Sequence, residues 1–233
     1  MNNKIDPMKL QKLDHIEPLK EKVYNALLEN IVEGRLAPGE QLVEQTIAAW
    51  LGVSKSPVRD ALHRLGGDGL VVGTAFKGFI VSPMSSREFV DLMQVRMAIE
   101  FFCLEQQFDS YSDEDIREFS TLIEGAGNFL EGGKVLLAHD SHLEFHELMV
   151  RKLGNEPMTN LYEINRRKLK RYLRTNIGQT PERIRISDRY HVEMLDSIRR
   201  RDKAAALQQL KQHFADIQQA FLEGSERTGG GGA

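Results

Sequence analysis

The stretch Leu51-Gly52-Val53-Ser54-Lys55-Ser56-Pro57-Val58-Arg59-Asp60-Ala61-Leu62 decides how the first third of this chain folds. A glycine and small residues end one short helix, and Ser54 with Pro57 opens the next, a hydroxyl cap and a proline in the first turn. Upstream, Val43, Ile47, Ala48 and Leu51 recur at helical spacing, with Gly52 placed to cap them. Downstream, Val58, Ala61, Leu62 and Leu65 form the apolar stripe of a helix that Gly66-Gly67 closes. Further out, Val23, Leu27, Leu28, Ile31 and Val32 mark an earlier helix ending before Gly34, and Pro38-Gly39 makes a turn. Leu70-Val71-Val72 and Phe79-Ile80-Val81 read as extended, joined by Gly73-Thr74-Ala75-Phe76-Lys77-Gly78. Three short helices and a small β-hairpin predict a winged helix-turn-helix over residues 15–82.

After Ser82-Pro83 the strand signal stops. Six amphipathic segments follow, Met84–Phe108, Ser112–Gly132, Lys134–Leu153, Pro157–Ile177, Pro181–Arg201 and Asp202–Leu222, with short breaks between them. They predict an antiparallel all-α bundle over residues 83–224 and a mainly α fold class. Residues 1–14 and 225–233, the latter ending in Gly229-Gly230-Gly231-Gly232-Ala233, are expected to be flexible ends. The chain has 233 residues and a single cysteine, Cys103, which excludes a disulfide framework and fits a reducing, cytoplasmic setting. No apolar run approaches the ~20 residues of a membrane span, and the N-terminus has no signal-peptide core. With 31 Lys and Arg against 34 Asp and Glu, the chain is not a polycation.

A helix-turn-helix reads DNA through the first turns of its second helix. Arg59 lies there, away from the apolar stripe, and its planar fork matches the two major-groove acceptors of guanine. Ser54, Lys55 and Ser56 offer hydroxyls, charge and backbone N–H groups to a phosphate. Arg64 further along the helix, Lys77 and Gly78 at the hairpin tip, and Arg35 after the first helix complete the candidate DNA contacts. Against this, residues 1–81 hold ten Lys and Arg and ten Asp and Glu, without the basic bias of many DNA binders. The order of elements, with its wing, favours DNA.

These residues resemble a family. Gly34-Arg35-Leu36-Ala37-Pro38-Gly39, the Leu51–Leu62 stretch, Gly69-Leu70-Val71 and Lys77-Gly78 are similar to the DNA-binding domain of the GntR superfamily of bacterial transcription regulators. Two departures are visible. Asp60 stands where the family usually has Glu, and Gly66-Gly67-Asp68 stands where it usually has a Glu-rich helix end.

Five of the seven histidines lie beyond residue 138. His142 and His146 are one helical turn apart on a face shared with Leu143, Met149, Val150 and Leu153. His191 aligns with Met194, Leu195 and Ile198, and His213 with Leu210, Ile217 and Phe221. Four imidazoles on three helices therefore face the bundle interior, where facing helices can assemble a divalent transition metal site, zinc or nickel above all. His139 and Asp140 are not counted with them. Isolated, hydrogen-bonded core histidines are the bland alternative.

The second part resembles the FCD ligand-binding domain of the FadR-like branch. The residues that carry this are Arg96-Met97-Ala98-Ile99-Glu100, Phe145-His146 with Gly154-Asn155, and His191 followed by Asp202 and His213. The resemblance implies a metal held by His142, His146, His191 and His213, with His142 where the family usually carries Asp. It also implies a small carboxylate effector, which Arg96 could grip through two hydrogen bonds. An ion pair between Arg96 and Glu100 is the equal alternative. The run Arg166-Arg167-Lys168-Lys170-Arg171-Arg174 reads first as a solvated helix face and only secondarily as a surface for DNA or a partner.

The function expected from all this is a ligand-responsive transcription regulator, not an enzyme. A homodimer binds a palindromic operator in double-stranded DNA, with no membrane partner. The competitors are a metal or metabolite sensor without DNA binding and a small metallohydrolase. The last lacks an HExxH-type motif: Glu147 follows His146, but the second histidine precedes it.

Overall fold

The protein is described here from a computed structural model, over residues 18–75, 78–176 and 180–228. The expected flexible start 1–14, Lys77 of the hairpin tip and residues 229–233 lie outside that range. The chain separates into two compact units: one of residues up to Ile31 with Gly39–Ser82, the other of Val32–Pro38 with the chain from Pro83 on. The loop after the first helix thus groups with the second unit, a refinement of the boundary expected at Ser82.

The first unit contains α1 (Leu19–Val32, of which Val32 groups with the second unit), β1 (Gln41–Leu42), α2 (Glu44–Leu51), α3 (Lys55–Gly67), β2 (Val71–Thr74) and β3 (Gly78–Val81). Val23, Leu27, Ile31, Ala48, Val58, Ala61, Leu62 and Leu65 are buried, so most of the stripes read from spacing form its core; Val43, just before α2, is instead 43% exposed. Gly52 caps α2 at φ 67°, a left-handed conformation that a side chain would strain. Ser54 takes the N-cap backbone geometry of α3, but its hydroxyl makes no capping bond, contrary to expectation. α3 runs through Gly66 and Gly67 and closes on Asp68; Gly69 at φ 72° lets Leu70 N–H bond back to the Leu65 carbonyl at 2.9 Å.

The wing carries a strand that the sequence did not reveal. β1 pairs antiparallel with β3, which pairs with β2, in the order β1-β3-β2. Two residues are too few for alternation to show, and β1 exists because Gly39 N–H and the Glu40 carbonyl bond Val81 at 2.8 and 2.9 Å.

The second unit is the predicted antiparallel set: α4 (Ser86–Gln107), a 3₁₀ turn (Phe108–Ser110), α5 (Asp113–Glu131), α6 (Val135–Lys152), α7 (Glu156–Asn176), α8 (Pro181–Arg199) and α9 (Lys203–Thr228). α9 continues past the expected end at Leu222. Local chemistry starts the helices. The Ser85 hydroxyl accepts from Glu88 N–H at 3.1 Å, Ser112 and Asp115 form a reciprocal capping box, and Thr180 precedes Pro181 at the head of α8. One apolar core, including Phe89, Leu104, Phe108, Phe119, Phe145, Met149, Met194 and Leu210, joins the helices. It holds α4, α6, α8 and α9 in place around a polar centre.

Candidate functional site

α6, α8 and α9 each deliver one imidazole to a single point. Nε2 of His146 lies 2.9 Å from Nε2 of His191 and 3.2 Å from Nε2 of His213. All three rings are buried, and His146 and His213 stack nearly parallel with centroids 5.1 Å apart. With metal–nitrogen bonds of about 2.0–2.1 Å, two ligands sit about 2.9 Å apart at a right angle and about 3.3 Å apart at the tetrahedral angle. Both separations from His146 fall in that interval, and the three ligand nitrogens lie within 4.8 Å of one another, so the trio fits a divalent transition metal.

The protonation chemistry agrees. Burial above all lowers His146 to about 4, despite the upward pull of Glu100, and pushes His191 and His213 well below the usual imidazole range. All three are therefore neutral, the form that coordinates. Glu100 fixes which nitrogen of His146 is bare. Its Oε2 lies 2.6 Å from His146 Nδ1, and a carboxylate accepts only, so Nδ1 carries the hydrogen and Nε2 keeps the lone pair.

Glu100 is the hub of a sealed network. Arg96 Nε donates to its Oε1 at 2.7 Å, and the buried Tyr162 hydroxyl donates to the same oxygen at 2.7 Å. Burial alone would raise the Glu100 carboxyl; the Arg96 guanidinium and His146 outweigh it and hold it at about 2. The Arg96–Glu100 ion pair weighed from sequence is thus present. It does not exhaust Arg96, whose Nη2 is buried without a hydrogen-bond partner.

That guanidinium and the three imidazoles line one cavity of about 390 Å³. Phe89, Met93, Leu173, Ile184 and Ile217 give it an apolar wall. His139 lines it too, buried and lowered to about 3 chiefly by desolvation. Tyr190, which donates to Asp216, and Arg183, which donates to the Ala220 carbonyl at 3.2 Å, complete a polar side.

His142 is in the cavity wall but outside the Nε2 trio. Its Nε2 lies 3.0 Å from Asp188 Oδ1. The basic run on α7 corrects the sequence reading. Arg166 pairs with Glu147, Arg167 with Glu163, Lys170 and Arg174 with Asp140, and Arg171 is buried. Acidic residues on α6 neutralise much of this face, so it is not a solvated one.

In the winged unit, Ser54, Lys55, Ser56 and Arg59 are exposed on one end of α3. Arg59 holds Glu44 of α2 with both Nε and Nη2, at 3.0 and 2.8 Å, while its side chain stays 58% exposed. Lys55 reaches Gln45 at 3.3 Å. Arg64 is differently engaged: Glu21 takes its Nη1 at 2.6 Å, and the guanidinium lies 3.8 Å above the Tyr24 ring. Gly78 sits at φ 74° opposite Thr74, whose hydroxyl donates to its carbonyl at 3.2 Å. Arg35 is exposed on the loop after α1.

The bacterial regulatory protein gntR family matches residues 19–81, and the FCD domain matches residues 91–216, more than half of the chain. The chain belongs to the gntR family of transcriptional regulators with an FCD domain. It is 27% identical over 209 residues to the HTH-type transcriptional regulator YdhC of Bacillus subtilis, covering 87% of this chain and 91% of that one. It is 24% identical over 204 residues to the gluconate operon transcriptional repressor of the same organism, covering 81% and 79%. Its fold is similar to that of McbR/YncC of E. coli, with TM-score 0.75, 20% identity and coverage of 89% and 99%. The metal-free FCD domain of TM0439 aligns with 63% of the chain and 99% of that domain, at 27% identity and TM-score 0.51. The mainly α winged-helix and bundle architecture and the exclusion of an enzyme hold for this gntR regulator. Among the described residues no helix is long and apolar enough to cross a membrane.

Sequence reading took Glu100 only as the partner of Arg96 and missed Tyr162 and Asp188. Asp188 had a legible signal, since it is three residues before His191 and shares a helix face with it. Tyr162 had none.

Proposed function

We propose that this gntR regulator is a cytoplasmic homodimer that binds a two-fold related operator and answers to a small organic acid at a metal centre in its bundle. The convergence of His146, His191 and His213 on the cavity that Arg96 lines carries the reading. Its charge balance names the effector class. Arg96 and Glu100 cancel and the three imidazoles are neutral, so a bound dication would bring net positive charge to a buried trio that contains no carboxylate of its own. A carboxylate anion answers that excess and meets the spare Arg96 Nη2. A metal with these ligands supplies Lewis acidity and open coordination positions. The protein's residues supply orientation: Glu100 holds His146, Tyr162 and Arg96 hold Glu100, and the apolar wall selects a compact acid.

The exposed end of α3 supports operator reading by Arg59, with Ser54, Lys55 and Ser56 placed for phosphate. Arg35, Lys77 and Gly78 remain candidates for backbone contact, and so does Arg64, whose side chain is 51% exposed although it pairs with Glu21 over the Tyr24 ring. Dimerisation is supported by Val95 and Phe102, two turns apart on α4 and each nearly half exposed, and by Leu161 on α7, 63% exposed. For regulation the acid must bind the operator-competent and incompetent arrangements unequally, with the ~1–3 kcal/mol coupling typical of such switches.

The test combines metal analysis with operator gel shifts across a panel of small carboxylates. His191→Ala and His213→Ala should each lose metal and the carboxylate response while keeping operator binding. A response that survives chelation of the metal would overturn the reading.

A further inference from the structure

We propose that the cavity takes an acid with two anionic ends, and that Arg183 at the head of α8 binds the second of them. The inference rests on the reading of the bundle as an acid-sensing metal centre and deepens it by naming the class of acid.

The cavity is a slot between α8 and α9 with a cationic group at each end. At one end His191 of α8 meets His213 of α9, with ring centroids 4.8 Å apart, beside His146 and Arg96. At the other, Arg183 of α8 donates from Nη2 to the Ala220 carbonyl of α9 at 3.2 Å. Arg183 is eight residues before His191, and Ala220 is seven after His213. At 1.5 Å per residue these are spans of roughly 12 and 10 Å, so the two crossings bound one slot. Ser187, Tyr190, Asp216 and Ile217 line the space between them. The cavity volume of about 390 Å³ is far more than a single carboxylate group occupies.

The fold does not account for the charge of Arg183. The residue is partly buried, yet among the described residues no carboxylate lies within ion-pair distance of it, and one carbonyl takes one of its five N–H groups. The nearby acids are engaged elsewhere. Glu182 faces Arg185 at 3.8 Å, and the two oxygens of Asp216 accept from Tyr190 and Gln212. A guanidinium in the first turn of a helix also opposes the helix dipole. An anion entering the slot answers both features, and the planar fork suits an oxyanion, carboxylate or phosphate. Asp216 sets the pattern between the ends: it repels negative charge at the centre and can accept from a hydroxyl there. The acid is therefore anionic at both ends and neutral in the middle. The rival is a monoacid whose tail lies on Phe89, Met93 and Leu173, with Arg183 a bystander at the rim.

The test uses the full chain, with zinc and after chelation, and titration calorimetry. The probes are straight-chain dicarboxylates from succinate to suberate, each beside its half-amide and the ω-phosphono acid of the same length. At the best length, the acid with two anionic ends should bind roughly tenfold or more tighter than the half-amide. Arg183→Gln should remove that advantage and leave half-amide affinity and the unliganded Tm unchanged, whereas Arg183→Lys should keep part of it. The same advantage from the phosphono acid, lost in the same variant, supports the proposal equally and names phosphate as the second group. A half-amide that binds as tightly as its diacid would overturn the proposal. So would Arg183→Gln weakening both alike or neither. Those outcomes leave the acid-sensing reading standing. A protein that binds none of these acids would overturn both. Diacid binding that needs Arg183 but survives chelation would strike the metal reading and leave this one.

Discussion

Arg59 on α3 and Arg96 on α4 each clasp a glutamate, Glu44 and Glu100, yet the first pair is open to water and the second is sealed. The Arg59 side chain is 58% exposed and that of Arg96 is 5% exposed. An exposed pair gains little, because solvent screens it and each partner is readily rehydrated. Arg59 can therefore leave Glu44 for another partner at small cost, a base edge in the proposed operator complex. A buried pair has lost its hydration, and removing one member strands the other. Arg96, Glu100 and His146 are thus held to one geometry, as the proposed metal centre would require. The same two residue types serve exchange in one unit and fixation in the other; burial makes the difference.

The contrast breaks most visibly at Glu100. Glu100→Ala should cost ~3–5 kcal/mol of bundle stability by leaving Arg96 uncompensated, measured as a shift in denaturant midpoint. Glu44→Ala, at the exposed pair, should not move that midpoint measurably.

Acid should separate the units next. The folded pKa of His146 is depressed, from 6.5 to about 4, so the unfolded chain binds the proton first as pH falls. Its contribution is complete above pH 6.5 and is lost down to about pH 4, a change of ~3 kcal/mol in the metal-free protein. His139, lowered to about 3, acts in the same direction. Melting followed against pH should show the bundle weakening over this window; a flat profile would break the comparison.

Metal should then act on the sealed region. Zinc at a hundredfold excess over its Kd should add ~2.7 kcal/mol to stability, seen as a rise in Tm that His213→Ala abolishes.

At the open pair the effects concern DNA. Arg59→Ala should weaken operator binding roughly 5- to 150-fold and relax sequence preference, which titration against operator and random DNA will reveal. Equal losses on both would remove its base-reading role. Smallest of all, Glu44→Ala should tighten operator binding by a few-fold at low salt, because it frees Arg59 from its competitor.

Much of this was legible in the chain because it depends on short-range rules. The turn at Gly52, the stripe Val58-Ala61-Leu62-Leu65 and the i,i+4 pair His142 and His146 follow from helical periodicity and capping alone. β1 was not legible, since two residues show no period and its pairing is with a strand nearly forty residues away. The run from Arg166 to Arg174 was misread for a related reason: whether a basic helix face meets water or carboxylates depends on Glu147 and Asp140, which belong to another helix.

The sequence by itself determined the winged helix-turn-helix, the all-α bundle and the candidate metal residues, because residues that share a helix face are set by backbone geometry. It could not say which nitrogen each histidine presents. His142 and His146 are the same residue one turn apart, and they differ because Asp188 comes to one from α8 and Glu100 to the other from α4. A tautomer is chosen by the hydrogen-bond partner of the ring, and that partner arrives only when the helices pack.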